Sequence, residues 1–242
     1  MRYGIFGDIH ANLHALEAVL EAYQSEQIDT YICTGDLVGY GAHPKECVER
    51  TRELCAHVVA GNHDFAVCEK LTLEFFNTYA KSAVLWTRAQ LSQEDLEYLE
   101  RLPLLVNVDT HVTLSHATIY DAGAFDYIQT QYDAHLSLQE MVNTCGFVGH
   151  SHIPISFQLK DGAVTWTMES EIDVAGCDKV LVNVGSVGQP RDENPDAAYA
   201  VYDTDAQKIW VKRVPYDVEG AIAAIEENKL PRILGERLRL GK

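Results

Sequence analysis

Phe6-Gly7-Asp8-Ile9-His10 is the stretch whose reading decides the fold. Tyr3, Ile5 and their neighbours read as a short buried strand, and Gly7 allows a sharp backbone turn at its end. In an extended segment, Asp8 and His10 lie two residues apart and send their side chains to the same side. A carboxylate oxygen and an imidazole nitrogen on one face can take neighbouring positions on one divalent ion. Taken alone, such a triplet is more often a turn. Its weight comes from the same design recurring four more times along the chain.

Thr30 to Thr34 is a second β-rich run, ending in Gly35-Asp36, and His57 to Ala60 is a third, ending in Gly61-Asn62-His63-Asp64. Between them, Leu13, Leu16, Val19, Leu20 and Tyr23 fall at helical spacing over 12–26 with Asn12 as N-cap, and Pro44 opens a helix through Cys55. This alternation predicts an α/β core with partly parallel strands. Such sheets place ligands beyond the carboxyl ends of their strands, where all three polar clusters sit.

Residues 65–101 read as a helical insertion, from Leu71, Phe75, Phe76 and Tyr79 at helical spacing and the helix-start signature Ser92-Gln93-Glu94-Asp95. Strands at about 104–109 and 111–116 follow, the second ending in Ser115-His116, and a helix is expected around 134–144. Gly146-Phe147-Val148 leads as a strand into Gly149-His150-Ser151-His152. Thereafter the pattern has period two: a hairpin turns at Asp161-Gly162, 179–184 runs into the glycine-rich 185–191, and 197–202 pairs with 208–214. A helix over 217–228 and a short C-terminal helix close the chain. The expectation is one α/β domain over 1–242 with two stacked sheets and the helical insertion.

The 242 residues are 47% hydrophobic, enough for one sizeable core. Asp and Glu outnumber Lys and Arg by 36 to 19, for a net charge of -17. That balance disfavours attachment to DNA, RNA or anionic lipid, so no polynucleotide partner is expected, and any phosphate chemistry calls for positive charge from bound metal. Six cysteines form no C-x-x-C pair and read as free thiols of a reducing compartment. With no secretory signal pattern and no apolar run of membrane-spanning length, the reading is a soluble, cytoplasmic protein.

The candidate ligands arrive as Asp8 and His10, Asp36, Asn62 and His63, His116, and His150 and His152. Oxygen and imidazole donors without thiolate suit Mn, Fe, Zn, Ni, Co or Mg. They are too many for one ion and suit two ions sharing a carboxylate, a centre that clamps a phosphoryl oxygen and generates hydroxide near neutral pH.

The ordered motifs Asp8-x-His10, Gly35-Asp36, Gly61-Asn62-His63-Asp64, Ser115-His116 and Gly149-His150-Ser151-His152 resemble the calcineurin-like metallophosphoesterase family. The resemblance covers the full chain. It looks closest to the small bacterial and archaeal phosphodiesterase-like branch, through Gly35 to Gly41 and Gly185 to Asp192. It implies a two-sheet β-sandwich flanked by helices, with Asp8, His10 and His152 on one metal, Asn62, His116 and His150 on the other, and Asp36 bridging. It also implies that His63 contacts a phosphate oxygen or protonates the leaving group, and that Asp64 orients His63. Ser151 departs from the family's usual Thr, a small change between hydroxyl residues.

Outside the motifs, Asn12, His43 and Arg191 are candidate substrate contacts, with bland alternatives: Asn12 as a helix cap, and Arg191 in a salt bridge with Asp192 or Glu193. Tyr40, Tyr120 and Tyr127 read as packing residues or as a cleft wall, and His14, His57, His111 and His135 as surface or packing. The resemblance implies a hydrolase of small, nucleotide-like phosphodiesters acting through a metal-bridging hydroxide. A phosphomonoesterase or protein phosphatase is the nearest rival, and a non-catalytic binding module of the same fold is the reading from a different class. Exposed aromatics in the insertion would permit a dimer.

Overall fold

The computed structural model describes residues 1–242. In chain order the first elements are β1 (Arg2–Phe6), α1 (Leu13–Tyr23), β2 (Thr30–Cys33), α2 (Pro44–Leu54), β3 (His57–Val58), α3 (Asn62–Val67), α4 (Thr78–Gln90) and α5 (Gln93–Glu100). Next come β4 (Leu105–Val108), β5 (Val112–Ser115), α6 (Gln131–Glu140), β6 (Cys145–Val148), β7 (Ile155–Lys160), β8 (Ala163–Thr167) and β9 (Glu171–Asp173). The chain closes with β10 (Lys179–Asn183), β11 (Ala197–Asp203), β12 (Lys208–Val214), α7 (Val218–Glu227) and α8 (Arg232–Leu240). No helix is long and apolar enough to cross a membrane.

The strands form two mixed sheets of six, ordered β3-β2-β1-β11-β12-β9 and β4-β5-β6-β10-β7-β8. In the first, β1, β2 and β3 run parallel; in the second, β5, β6 and β10 do. The carboxyl ends of both parallel sets therefore deliver their loops to a common edge of the sandwich.

Side-chain alternation explains the layers. Val180 and Val182 of β10 join Tyr3, Ile5, Leu114, Phe147 and Tyr202 in the core between the sheets, while Leu181 packs outward with Ala134 and Leu138 of α6. β10 is buried on both faces, which is why it reads as a nearly continuous apolar run. On the first sheet, Phe6 and Cys33 face outward against Leu16, Val19 and Tyr23 of α1. Each such large apolar side chain stabilises the fold by about 1.5–3 kcal/mol when taken out of water.

The structure departs from the sequence reading in the 65–101 region. Helix begins at Asn62, and 68–77 is non-helical, so the spacing of Leu71, Phe75 and Phe76 does not mark a helix face. Phe76 packs inward while Phe75 is 91% exposed, and Asn77 caps α4 by accepting from the amides of Tyr79 and Ala80. α6 spans 131–140 rather than 134–144, because Thr130 and Asp133 form a reciprocal cap. β9 was not anticipated; it is an edge strand whose three residues pair with β12.

Candidate metal centre and cleft

Each candidate ligand sits just beyond a strand: Asp8 and His10 after β1, Asp36 after β2, Asn62 and His63 at the start of α3, His116 after β5, and His150 and His152 after β6. The geometry at β1 is not the extended one read from the sequence. Asp8 and His10 have φ of 48° and 50°, and Asp36, His150 and His152 have φ of 52°, 69° and 62°. Left-handed backbone at non-glycine residues is uncommon, costs energy, and clusters at functional sites. Gly7 does not itself make the turn. A Cβ there would overlap the Thr34 hydroxyl, so its role is close approach between β1 and β2.

These turns aim the side chains inward. One donor atom each from Asp8, His10, Asp36 and His152 lies within 4.8 Å of the others, all buried. His10 Nδ1 faces the Val38 carbonyl at 3.2 Å, His152 Nδ1 the Gln189 carbonyl at 2.5 Å, and His116 Nδ1 the Thr34 carbonyl at 2.8 Å. A carbonyl only accepts, so each Nδ1 carries a proton, which in a neutral ring leaves a lone pair on Nε2. The Nε2 atoms of His10 and His152 face each other at 3.0 Å, and His152 Nε2 is 3.2 Å from Asp8 Oδ1. Converging lone pairs and carboxylates, buried together, call for a cation.

Asp36 also reaches the other side of the site. Its Oδ2 lies 3.6 Å from His10 Nε2 and 3.4 Å from His116 Nε2, which is itself 3.2 Å from Asn62 Oδ1. The His150 ring is centred 5.0 Å from that of His116. Asn62 and His116 thus gather beside the Asp36 carboxylate, with the His150 ring next to His116. The donor chemistry of both groups fits divalent ions.

Burial holds His10 and His150 well below the usual imidazole range and lowers His152, keeping their lone pairs free for a ligand. At His116 burial acts in the same direction, but the Asp36 carboxylate outweighs it and pushes this imidazole up to about 9. In turn, burial opposes ionisation of Asp36, and the neighbouring imidazoles outweigh that to hold it well below the carboxylate range.

His63 is buried at the floor of a cleft of about 460 Å³, with its amide donating to Asp36 Oδ1 at 2.8 Å. Burial pushes it down to about 4. Asp64, expected to orient this ring, does something else. It accepts from the amides of Leu37 at 2.9 Å, Val38 at 3.3 Å and Gly61 at 3.0 Å, tying the Asp36 loop to the start of α3. Its carboxyl is raised to about 7 by burial and by the charge on Asp36. His63 Nδ1 has no hydrogen-bond partner.

The three candidate substrate contacts separate. Arg191 lines the cleft, bonding Gln189 Oε1 at 3.0 Å and Tyr40 Oη at 3.4 Å, while Asp192 pairs with Arg213 and Glu193 with Lys242. Asn12 caps α1 by accepting from Ala15 and spends its amide donors on the Gly188 carbonyl and Tyr216, and it does not line the main cleft. His43 borders a separate cavity of about 10 Å³ and its ring lies beside His14, outside the main cleft. Tyr40 and Tyr127 line the main cleft and Tyr120 does not. Phe76 and Gln189 also shape the site; the sequence reading had Phe76 on a helix face and Gln189 only as part of the Gly185 to Asp192 segment, and singled out neither as a site residue.

The family model of the calcineurin-like phosphoesterase superfamily domain matches residues 1–207. The chain belongs to this family. Protein MJ0912 of Methanocaldococcus jannaschii is 40% identical, over 98% of this chain and 97% of its own. The crystal structure of a metallophosphoesterase from Sphaerobacter thermophilus is 38% identical with a TM-score of 0.87, covering 100% of this chain and 99% of that one. Protein PH1004 of Pyrococcus horikoshii OT3 shares the fold at 20% identity, with a TM-score of 0.79 and coverage of 100% and 98%. Membership supports a metal-dependent phosphoester hydrolase, in accord with the buried donor cluster.

Proposed function

We propose that the chain is a phosphodiesterase for small, nucleotide-like diesters. The observation that carries this reading is the aromatic lining of the cleft, drawn from two separate segments. Phe75 and Phe76 line it from one segment, Phe125 and Tyr127 from another, and His63, His150 and Arg191 lie in the same cleft. Tyr127 stacks on the His150 ring at 4.1 Å, and Phe76 meets the His63 ring edge-on at 5.1 Å. A diester carries two organic groups on phosphorus, so an aromatic-lined cleft suits it better than it suits a monoester. Arg191 is the only Lys or Arg among the residues lining the cleft.

In this reading Asp8, His10 and His152 hold one divalent ion, Asn62, His116 and His150 hold a second, and Asp36 is shared. When bound, such ions supply Lewis acidity toward phosphoryl oxygen and make water a nucleophile at neutral pH. Arg191 anchors a phosphate oxygen through its guanidinium. His63 stands where it hydrogen-bonds a phosphoryl oxygen or the departing alkoxide. Tyr127 and Phe76 bury the ester groups and exclude water around them.

The test is hydrolysis of bis-p-nitrophenyl phosphate beside p-nitrophenyl phosphate, after chelation and again with Mn²⁺ restored. Metal-dependent turnover that favours the diester supports the reading. A preference for the monoester makes the protein a phosphatase. Absence of bound metal together with inactivity on both esters makes it a binding module.

A further inference from the structure

His63 is a buried ring without a polar anchor. Its Nδ1 has no partner, and the neighbouring Asp64 carboxylate is committed to the amides of Leu37, Val38 and Gly61. The atom facing Nδ1 belongs to a backbone with no side chain. A Cβ added to Gly39 would overlap Nδ1 and stand 3.0 Å from Cγ of the ring, and the φ of Gly39 is +91°. No carboxylate or hydroxyl fits there. The remaining neighbours are rings: Tyr40 at 4.4 Å, His10 edge-on at 4.9 Å and Phe76 edge-on at 5.1 Å.

A histidine held by a hydrogen bond at one nitrogen is oriented by that bond. Here only shape can do it. Tyr40 and His10 belong to the loops around the metal ligands, whereas Phe76 comes from the non-helical 68–77 segment and adds a further wall to the ring's surroundings. The Asn77 cap on α4 fixes the backbone next to Phe76, and Ala80 one turn further along is buried beside Tyr40.

We propose that Phe76, together with the bare Cα of Gly39, is a positioning element for His63, so that the 68–77 segment sets the orientation of the ring toward the substrate. Phe76 acts through His63, and the inference rests on the role given to His63 above. Truncating Phe76 opens one wall of the cage and lets the ring turn away from the leaving group. Misplacement of this kind costs up to roughly 10²-fold in rate.

The experiment compares Phe76→Ala, Phe76→Tyr and His63→Ala on bis-p-nitrophenyl phosphate, whose leaving group needs little help, and on diphenyl phosphate, whose leaving group needs more. Metal content is measured alongside, and the His63 ring is followed by NMR in histidine-labelled protein. Expected for Phe76→Ala is a loss of kcat on diphenyl phosphate roughly tenfold greater than on the activated ester, beyond any rise in KM common to both esters from the lost cleft wall, with metal content little changed and with shifted, broadened His63 ring signals. Phe76→Tyr should restore both rate and signals. Equal losses on the two esters with unchanged ring signals, or an effect on KM alone, would overturn the inference and leave Phe76 as cleft lining. If His63→Ala itself fails to discriminate between the esters, the role of His63 falls. The ring signals of Phe76→Ala and of Gly39→Ala then decide positioning on their own: shifted in both supports it, unchanged in both refutes it.

Discussion

At the scale of single residues, the site is built from groups whose environment decides their chemistry. His63 should be separable from the metal centre, because only its backbone amide touches Asp36 and its ring faces the cleft. His63→Ala is expected to keep its metals, as read by elemental analysis, and to lose roughly 10²–10⁴ in kcat, the usual scale for acid–base or hydrogen-bond assistance. Cys145 gives a test away from the site. It is fully buried on β6, and burial pushes its thiol up to about 11 from an ordinary 9.0. Above pH 9.0 the unfolded chain releases this proton while the folded chain keeps it. The unfolded state then binds fewer protons, so stability is full below the unfolded value and falls as pH rises toward the folded one. The contribution is about 2–3 kcal/mol. Urea unfolding at pH 8 and at pH 11 should show a smaller drop for Cys145→Ala than for the unaltered protein, and equal drops would assign alkaline loss to other groups.

At the scale of elements, the loops that carry the ligands are held by neighbours far along the chain. Asn12 shows how. One side chain caps α1, bonds the Gly188 carbonyl and reaches Tyr216, so it ties the β1 loop to the segment after β10 and to the start of the C-terminal helices. Asn12→Ala loses the cap and leaves buried partners unpaired, and is expected to cost about 1–3 kcal/mol by denaturant titration. Since Asn12 does not line the main cleft, KM for a diester should hold; a large rise in KM would return it to the substrate contacts. The 68–77 segment teaches the opposite lesson about periodicity. Leu71, Phe75 and Phe76 are spaced as on a helix, yet Phe75 is largely exposed at the cleft and Phe76 turns in to the His63 ring. Tertiary contacts there outweigh local propensity.

At the scale of the whole molecule, two sheets converge their parallel ends on one buried, acceptor-rich centre, so metal binding and folding are coupled. Asp8, Asp36, His10 and His152 face one another with few donors between them, which destabilises the metal-free fold. A divalent ion at about a hundred times its Kd adds about 2.7 kcal/mol, which for a chain of this size is a rise in Tm of about 5–10 °C. Chelation should reverse it. A thermal scan of Asp36→Asn should show a much weaker response, because that carboxylate serves both donor groups. A full response in that variant would place the ion elsewhere. The negative surface sets a further expectation: with a net charge of -17, single-stranded DNA should not be retained even at low salt.

Local pattern carries the elements and the positions of the polar clusters. Strand–helix alternation, period-two hairpins and the placing of Asp8, Asp36, Asn62, His116 and His150 just beyond apolar runs are readable from neighbours a few positions apart, and they point to the α/β core and to the candidate ligands. Only the tertiary structure decided how those residues meet. That Asp8 and His10 converge through left-handed backbone, that Asp64 serves amides of residues 37, 38 and 61, and that Asp192 pairs with Arg213 and leaves Arg191 to the cleft all depend on partners brought together by sheet pairing. The physical reason is range. Hydrophobic periodicity is a short-range signal, whereas the partner of a buried polar group is chosen by whichever donor or acceptor the fold places within about 3 Å, and sequence spacing does not record that choice.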